Sequence, residues 1–195
     1  MNNKSQVALI ALIVIVVVII GCVLFVIGAY NNLVTLDVST SKAWGNVETA
    51  YQRRADLIPN LVATVKGAAN FEKSTYVAVT EARTQWLSAS TPEEQMAAGQ
   101  NMESALARLL VTVESYPDLK ATQNFLSLQD ELAGTANRLK FEQDNYNAAV
   151  QSYQMGVRRF PSNIFAGMFG FSVDKWKMFK AANGATTNPV VNFTD

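Results

Sequence analysis

The stretch Val7–Ala29 constrains this chain more than any other feature, because it contains no charged and no strongly polar side chain. Its length matches the roughly 20 residues that a helix needs to cross a bilayer at about 1.5 Å per residue. A single segment can cross only as a helix, because lipid offers the backbone no hydrogen-bond partner. We therefore expect a short N-terminal tail over residues 1–6, a transmembrane helix over 7–29 and a remainder that works at a membrane surface.

Two other interpretations of this stretch compete with an uncleaved helix. Lys4 ahead of the apolar run is compatible with a cleaved signal peptide, but the apolar core of a signal peptide spans only about 7–15 residues. The sequence Ile19-Ile20-Gly21-Cys22 resembles a lipoprotein signal in which Cys22 would carry the lipid. However, the chain stays apolar through Ala29, whereas a lipoprotein normally turns polar after its cysteine. We favour the uncleaved helix, and lipidation of Cys22 stays open.

The charges near the ends of the apolar stretch bear on its orientation. Lys4 and the amino terminus lie on one side, and Asp37 precedes Lys42 on the other. Lys and Arg are enriched on the cytoplasmic side, so the count favours a cytoplasmic N-terminus by about one charge. We expect the following domain outside the cytoplasm, with the opposite orientation left open.

The soluble part lacks the residue types on which many enzyme sites depend. There is no histidine, and the single cysteine, Cys22, lies in the apolar stretch. Ser-His-Asp, Cys-His and Cys/His zinc sites are therefore excluded. An all-carboxylate Mg²⁺ or Ca²⁺ site, and with it a metal-dependent hydrolase, remains a remote alternative. Equal numbers of basic and acidic residues, 16 of each, indicate no nucleic-acid partner. We predict no catalytic residue, no metal and no cofactor.

After the apolar stretch, hydrophobic residues recur every three or four positions, which predicts an all-α fold with long helices packed as an antiparallel bundle over 30–160. Only Asn31-Asn32 interrupts the passage from the membrane helix to the first bundle helix. Thr91 is expected to cap a helix that begins at Pro92. A final long helix is expected to end at Arg158-Arg159-Phe160-Pro161, where arginines suit the negative end of the helix dipole.

The block Gln52–Lys66 contains Pro59, which lacks an N–H and disfavours a helical conformation in the residue before it. Yet the apolar stripe continues in phase across it. We favour a turn near residue 55, with Asp56 capping a second helix that runs to about Ser88, over one long helix kinked at Pro59. The polar residues of the block are interpreted first as junction residues paired to carboxylates. The alternative is a site for a partner or a lipid headgroup, formed by Arg53, Arg54, Asp56 and Asn60.

Residues 161–195 are expected to form an irregular aromatic tail and a C-terminal extension. Phe160–Phe171 shows neither a helical nor an alternating period. We favour a tail that folds over the open end of the bundle and completes its core. The alternative is an apolar surface for a membrane, another subunit or a client protein. Pro189–Phe193 is expected to be a short extended segment. The candidate interaction residues of the tail are Phe160, Phe165, Phe169 and Phe171.

Several separated motifs make the chain from about residue 30 to 171 resemble the LemA family of bacterial proteins. The resemblance implies a four-helix bundle of long helices, tethered to the membrane by a helix or as a lipoprotein. In lipoprotein members the Gly-Cys pair immediately precedes Tyr-Asn, whereas here Cys22 lies well before it, which supports the helix. The family has no established catalytic residues. The motifs are Tyr30-Asn31, Ala43-Trp44, Tyr51–Val62, Val79–Arg83 and Arg158–Pro161.

Sequence and resemblance together suggest a non-enzymatic, membrane-anchored helical scaffold or adaptor. We expect a single-pass protein of the bacterial inner membrane with a periplasmic domain, although some family members have been predicted with this domain inside. The expected partners are the lipid bilayer, further copies of the chain in a homo-oligomer, and envelope or membrane-protease proteins, whose genes often sit beside those of the family. The alternative is a membrane-organising or membrane-remodelling factor, since relatives include proteins linked to building internal membrane compartments.

Overall fold

The computed structural model describes residues 3–180, and every regular element in that range is helical. The predicted extended segment Pro189–Phe193 lies outside the described residues. Six α-helices are followed by a short 3-10 helix, Val173–Lys175. The α-helices are α1 Asn3–Lys66, α2 Lys73–Ser88, α3 Pro92–Val113, α4 Pro117–Lys120, α5 Gln123–Arg158 and α6 Ser162–Ala166.

Helix α1 is a single unbroken element of 64 residues. Its N-terminal part is long and apolar enough to cross a membrane, with a mean hydropathy of 3.7 and no side chain in that window buried by the rest of the protein. Cys22 lies inside this continuous helix. From Ala29 onward the same helix begins to bury side chains against the bundle. The apolar stretch and the first bundle helix are therefore one rod without a linker.

The predicted turn near residue 55 is wrong, because α1 continues through Pro59. Pro59 cannot donate the N–H that would normally reach the carbonyl of Ala55 four residues earlier. Arg83 of α2 supplies the missing donor, with its Nε 2.9 Å from that carbonyl oxygen. Ala55 is fully buried, so its carbonyl would otherwise lack a partner. Asp56 consequently lies in mid-helix and caps nothing; its Oδ1 accepts a hydrogen bond from Gln52 at 2.7 Å.

The chain reverses after Lys66, so the predicted single helix from Asp56 to Ser88 is also wrong. Residues 67–72 form the connection, and Asn70 adopts a φ of 62° within it, a left-handed conformation that asparagine tolerates. The Tyr116 hydroxyl donates a hydrogen bond to the Asn70 carbonyl at 2.9 Å and ties this corner to the end of α3. Helix α2 then ends at Ser88 as predicted.

Four helices, the C-terminal half of α1 with α2, α3 and α5, form the predicted all-α antiparallel bundle. Thr40 of α1 donates to the carbonyl of Ala149 on α5 at 3.3 Å, and Arg54 further along α1 donates to that of Leu132 at 2.9 Å. Residue numbers thus rise on α1 as they fall on α5. Thr91 caps α3 as predicted, in a capping box that also uses Glu94, and α5 ends at Arg158.

Tyr51 lies where these four helices meet, and it is almost fully buried. Its ring centroid lies 6.1 Å from that of Trp86 on α2, and its hydroxyl accepts a hydrogen bond from Gln143 Nε2 on α5 at 3.0 Å. Helix α3 approaches through Gly99, where an added Cβ would fall 2.5 Å from the Tyr51 ring. A residue with no side chain is therefore required at position 99. Burial raises the pKa of Tyr51 and keeps its hydroxyl neutral.

Arg54, three residues after Tyr51 on α1, carries a charge into the same core. Its Nε lies 2.5 Å from Oε1 of Glu103 on α3, as an ion pair without an aligned hydrogen bond. Burial raises the pKa of Glu103, although the adjacent guanidinium pulls that pKa down. Arg54 thus links α1 to α3 and, through the Leu132 carbonyl, to α5.

We expect Arg83→Met to lower the free energy of unfolding by about 1–3 kcal/mol, because the buried Ala55 carbonyl loses its donor. In the background of Pro59→Ala, the restored N–H satisfies that carbonyl, so the same change should cost clearly less. The wild type, the two single variants and the double variant form a double-mutant cycle. Denaturant unfolding of each full chain in detergent, followed by tryptophan fluorescence, measures its free energy of unfolding. Arg108→Met on the exposed face of α3 is the control. Strictly additive effects would contradict the contact.

Glu103→Leu should lower the free energy of unfolding by about 2–3 kcal/mol, because it strands the Arg54 charge in the core. We expect less than the about 3–5 kcal/mol that breaking a fully buried pair costs, since the Glu103 side chain keeps 32% of its surface exposed. The double variant Arg54→Met/Glu103→Leu should recover most of the loss in the same assay. A double variant no more stable than Glu103→Leu would show that the charge is not the cause.

Candidate functional site

The structure separates the four polar candidates of the Gln52–Lys66 block. Arg54 points into the core, where its ion pair is structural. Arg53, Asp56 and Asn60 are exposed, and their spacing of three, four and seven residues places them on one face of α1. This block therefore contributes one buried charge to the fold and one polar face to the surface.

Arg53 and Asp56 line a groove of about 430 Å³ between α1 and α5. Glu131 and Arg138 stand on the α5 wall, and Gly134 between them leaves the floor open. We call this feature the α1–α5 groove. It is lined by two positive and two negative side chains around an apolar floor. The complete lining is Ala50, Arg53, Asp56, Leu57, Glu131, Gly134, Thr135 and Arg138.

Arg138 has a second role beside the groove. Its Nη2 lies 2.6 Å from Oε1 of Glu142, whose side chain is buried, and its guanidinium lies 5.6 Å from the ring centroid of Phe141. Sequence reasoning missed Glu131 and Arg138. Their separation of seven residues, which places them on one face of α5, is the signal that could have found them.

The four phenylalanines of the tail have different environments. Phe171 is half-buried and packs against the small cluster of Leu33, Tyr153 and Val157, and Phe165 is also half-buried. Phe160 and Phe169 are exposed, at 75% and 41% of their surface. The tail therefore packs some of its aromatic side chains on the end of the core, as the first interpretation expects, and leaves others exposed; a binding role for the exposed ones stays a prediction.

Beyond Phe171 the chain turns back along the bundle and is held there by polar contacts. The Tyr153 hydroxyl donates to the Ser172 carbonyl at 3.1 Å. Asp37 of α1 accepts from Trp176 Nε1 at 2.8 Å and pairs with Lys175 at 2.7 Å. Further from the apolar stretch, Phe179 stacks on Trp44 of α1, with ring centroids 6.0 Å apart. Sequence reasoning gave Lys175, Trp176 and Phe179 no role, because their partners on α1 lie more than a hundred residues away in the chain.

The turn of the tail lies beside the end of the apolar stretch. Tyr30, the residue after Ala29, makes edge contacts with Phe169 and Phe171, with ring centroids 5.1 and 5.9 Å apart. The structure thus brings the phenylalanine-rich segment to the end of the bundle that lies next to Ala29 and the membrane-length helix. We call this end the foot of the bundle. The structure does not bring that segment to the polar face of Arg53 and Asp56.

A second cavity, of about 720 Å³, lies at the opposite end of the bundle, between the end of α1 and the start of α5. Hydroxyl and amide side chains dominate its polar surface. Asp118 is its one carboxylate, and no basic side chain lines it, so it offers no acid–base pair. Across the residues that the structure describes, no group of three or more His, Cys, Asp or Glu side chains is placed to hold a metal ion.

Comparison with known proteins identifies two kinds of relatives, magnetosome proteins and a LemA protein. The chain is 26% identical over 168 residues to the magnetosome proteins MamQ 1 and MamQ 2 of Paramagnetospirillum magneticum, across 73% of this chain and 62% of each relative. It thus spans under two thirds of the length of these relatives. It is 24% identical to protein LemA of Metamycoplasma hominis, across 84% of this chain and 72% of that protein. A sequence model described as the LemA family matches residues 43–193. The chain belongs to the LemA family.

Proposed function

We propose that this chain is a non-enzymatic scaffold, anchored in the bacterial inner membrane, that assembles with further copies of itself and holds envelope proteins there. The observation that carries the proposal is the continuity of α1, which joins a bilayer-length apolar segment to the bundle core without a linker. A rigid connection of this kind holds the bundle at a set height above the membrane. Such a connection suits a protein that presents a docking face to partners. We propose that the bundle lies on the periplasmic side of the membrane.

The non-enzymatic part of the proposal is supported by the chemistry of the chain. The chain contains no histidine. Within residues 3–180, the carboxylates form no group that could hold a metal ion. The half-buried carboxylate of Glu103 and the buried carboxylate of Glu142 are each paired with an arginine. The names of the relatives, magnetosome protein and protein LemA, are not names of enzymes. A carboxylate-dependent hydrolase therefore has no support in these features.

The α1–α5 groove supports self-association. In a two-fold dimer the same patch meets itself, so a favourable patch must be self-complementary. Arg53 and Asp56 on α1, with Glu131 and Arg138 on α5, give the groove equal numbers of both charges. A positive side chain of one copy can then face a negative side chain of the other. Charges at the edge of an interface mainly set which partner is accepted and in which register.

We expect Arg53→Glu to weaken the assembly of the full chain by about tenfold, since it places like charges opposite each other. Adding Glu131→Arg should restore assembly, because the swapped pair is again complementary. Arg138 is left unchanged, because it neutralises the buried Glu142. Cross-linking in cells, and the mass of the complex extracted with its surrounding lipid, provide the measurement.

Arg108→Glu, an exposed charge on α3, is the matched control and should leave assembly unchanged. A wild-type chain that is extracted as a monomer and cross-links to no protein would overturn the proposed function. Assembly that survives Arg53→Glu and the control alike would place the contact between copies elsewhere on the bundle.

A second candidate function, organising or reshaping the membrane, is favoured by the exposed apolar side chains at the foot of the bundle, Phe160, Ile164 and Met168. We expect the full chain, reconstituted in vesicles of phosphatidylcholine and phosphatidylglycerol, to cluster or deform them if this function is correct. Electron microscopy and light scattering detect either effect. Vesicles that keep their size and shape at high protein density would argue against this candidate.

A further inference from the structure

The foot of the bundle exposes four apolar side chains within ten residues, Phe160, Ile164, Met168 and Phe169. Their exposed fractions are 75%, 56%, 78% and 41%. We call this set the basal patch. Elsewhere on the described bundle, large exposed apolar residues such as Val111 on α3 and Phe141 on α5 occur singly along the chain, which is ordinary for a protein surface. The concentration at the foot of the bundle is what requires an explanation.

Part of the patch projects from one side of the segment, because the backbone there is wound helically. Backbone hydrogen bonds run from Asn163 to Arg159 at 2.9 Å and from Phe169 to Phe165 at 3.1 Å. Ile164, in α6, and Met168, in the turn that follows it, are four residues apart, which places them on the same side of the segment. Phe160 lies before α6 and is exposed next to them in the chain. Ala166 faces the opposite way and is buried against the bundle.

The path of the chain places the patch at the membrane end of the molecule. Val157, near the end of α5, packs in one cluster with Leu33 of α1. The chain then passes beyond that level and returns at Ser172, which is bonded to Tyr153. Phe169 at the turn touches Tyr30, whose Cα follows the apolar stretch by about 1.5 Å along the helix axis. The patch therefore lies at the height where the apolar stretch ends.

That height is the interfacial zone of a bilayer spanned by residues 7–29, where tyrosine is enriched. Arg158 and Arg159 are exposed beside the patch and can extend toward lipid phosphates while their stems stay apolar. An apolar face flanked by cations, at the level of the headgroups, has the chemistry of a segment that lies in the membrane surface.

We infer that the basal patch inserts into the interface of the leaflet from which α1 emerges, so that the bundle is attached to lipid at a second point. One transmembrane helix fixes the height of the bundle but lets it rotate about the helix axis and tilt. Contact of Phe160, Ile164, Met168 and Phe169 with lipid restricts the tilt of the bundle and its rotation about a tilted helix axis. The α1–α5 groove then keeps one angle to the membrane plane. This inference does not depend on the scaffold function, because it applies to a single chain.

The test places fluorescent labels on the full chain in the background of Cys22→Ser, with a single new cysteine from Ile164→Cys or Met168→Cys. Val111→Cys and Phe141→Cys are matched controls, since both positions are comparably exposed but lie away from the foot. Each variant is placed in nanodiscs of phosphatidylglycerol and phosphatidylcholine, with one chain per disc, and the phosphatidylcholine is exchanged for its brominated form. We expect several-fold stronger quenching at 164 and 168 than at 111 and 141.

Equal quenching at all four positions would overturn the inference. So would a result in which labels at 164 and 168 become shielded from aqueous iodide only in discs with several chains, because the patch would then contact a second copy. Failure of the scaffold proposal would leave the one-chain result unaffected, so the two can be told apart.

A second measurement uses Ile164→Gln/Met168→Gln/Phe169→Gln with the control Leu126→Gln/Phe141→Gln/Val111→Gln. In one-chain discs, a spin label at Arg108→Cys should report greater rotational freedom of the bundle in the first variant only. Circular dichroism checks that both variants remain helical. Unchanged mobility in a folded first variant would contradict a second attachment to lipid.

Discussion

Once lipid surrounds the apolar stretch Val7–Ala29, its peptide groups find hydrogen-bond partners only within their own helix. The same helix, α1, also supplies one side of the bundle core. Because α1 runs unbroken to Lys66, the bilayer sets the position of residues as far along it as Tyr51, around which the other three bundle helices pack. The continuity depends on one contact at Pro59, where Arg83 of α2 donates to the carbonyl that the proline leaves without its usual donor.

Two adjacent arginines show how this rod divides structural roles from surface roles. Arg54 turns inward, is neutralised by Glu103 and joins three helices. Arg53, one position earlier and about 100° around the helix, faces the α1–α5 groove with Asp56. A change at Arg54 is therefore expected to act through stability, whereas under our proposal a change at Arg53 acts on recognition. The same distinction separates Phe171, which packs on the core, from Phe160, which does not.

The returning tail connects the two surfaces on which our proposals rest. Its turn forms the basal patch beside Tyr30, and its later part is bonded to Asp37 and stacked on Trp44. The patch, α1 and the wall of the groove are thus fixed to one another. If the patch lies in lipid, the groove keeps a set angle to the membrane plane, and copies in one membrane differ in orientation only by rotation about the membrane normal. A weak interface between copies benefits from such alignment, because less orientational freedom is lost on association.

Local sequence determined the all-α fold, the membrane-length helix, the cap at Thr91 and the end of α5 at Arg158, because each depends on residues within a turn or two of chain. The same reasoning placed a turn near residue 55, since Pro59 taken alone argues against a helix. Tertiary structure decided otherwise, through a donor that arrives from α2. It also decided which of Arg53 and Arg54 remains on the surface, which phenylalanines are buried, and that Glu131 and Arg138 join the groove. These outcomes depend on side chains distant in the sequence, whose proximity only the packed bundle creates.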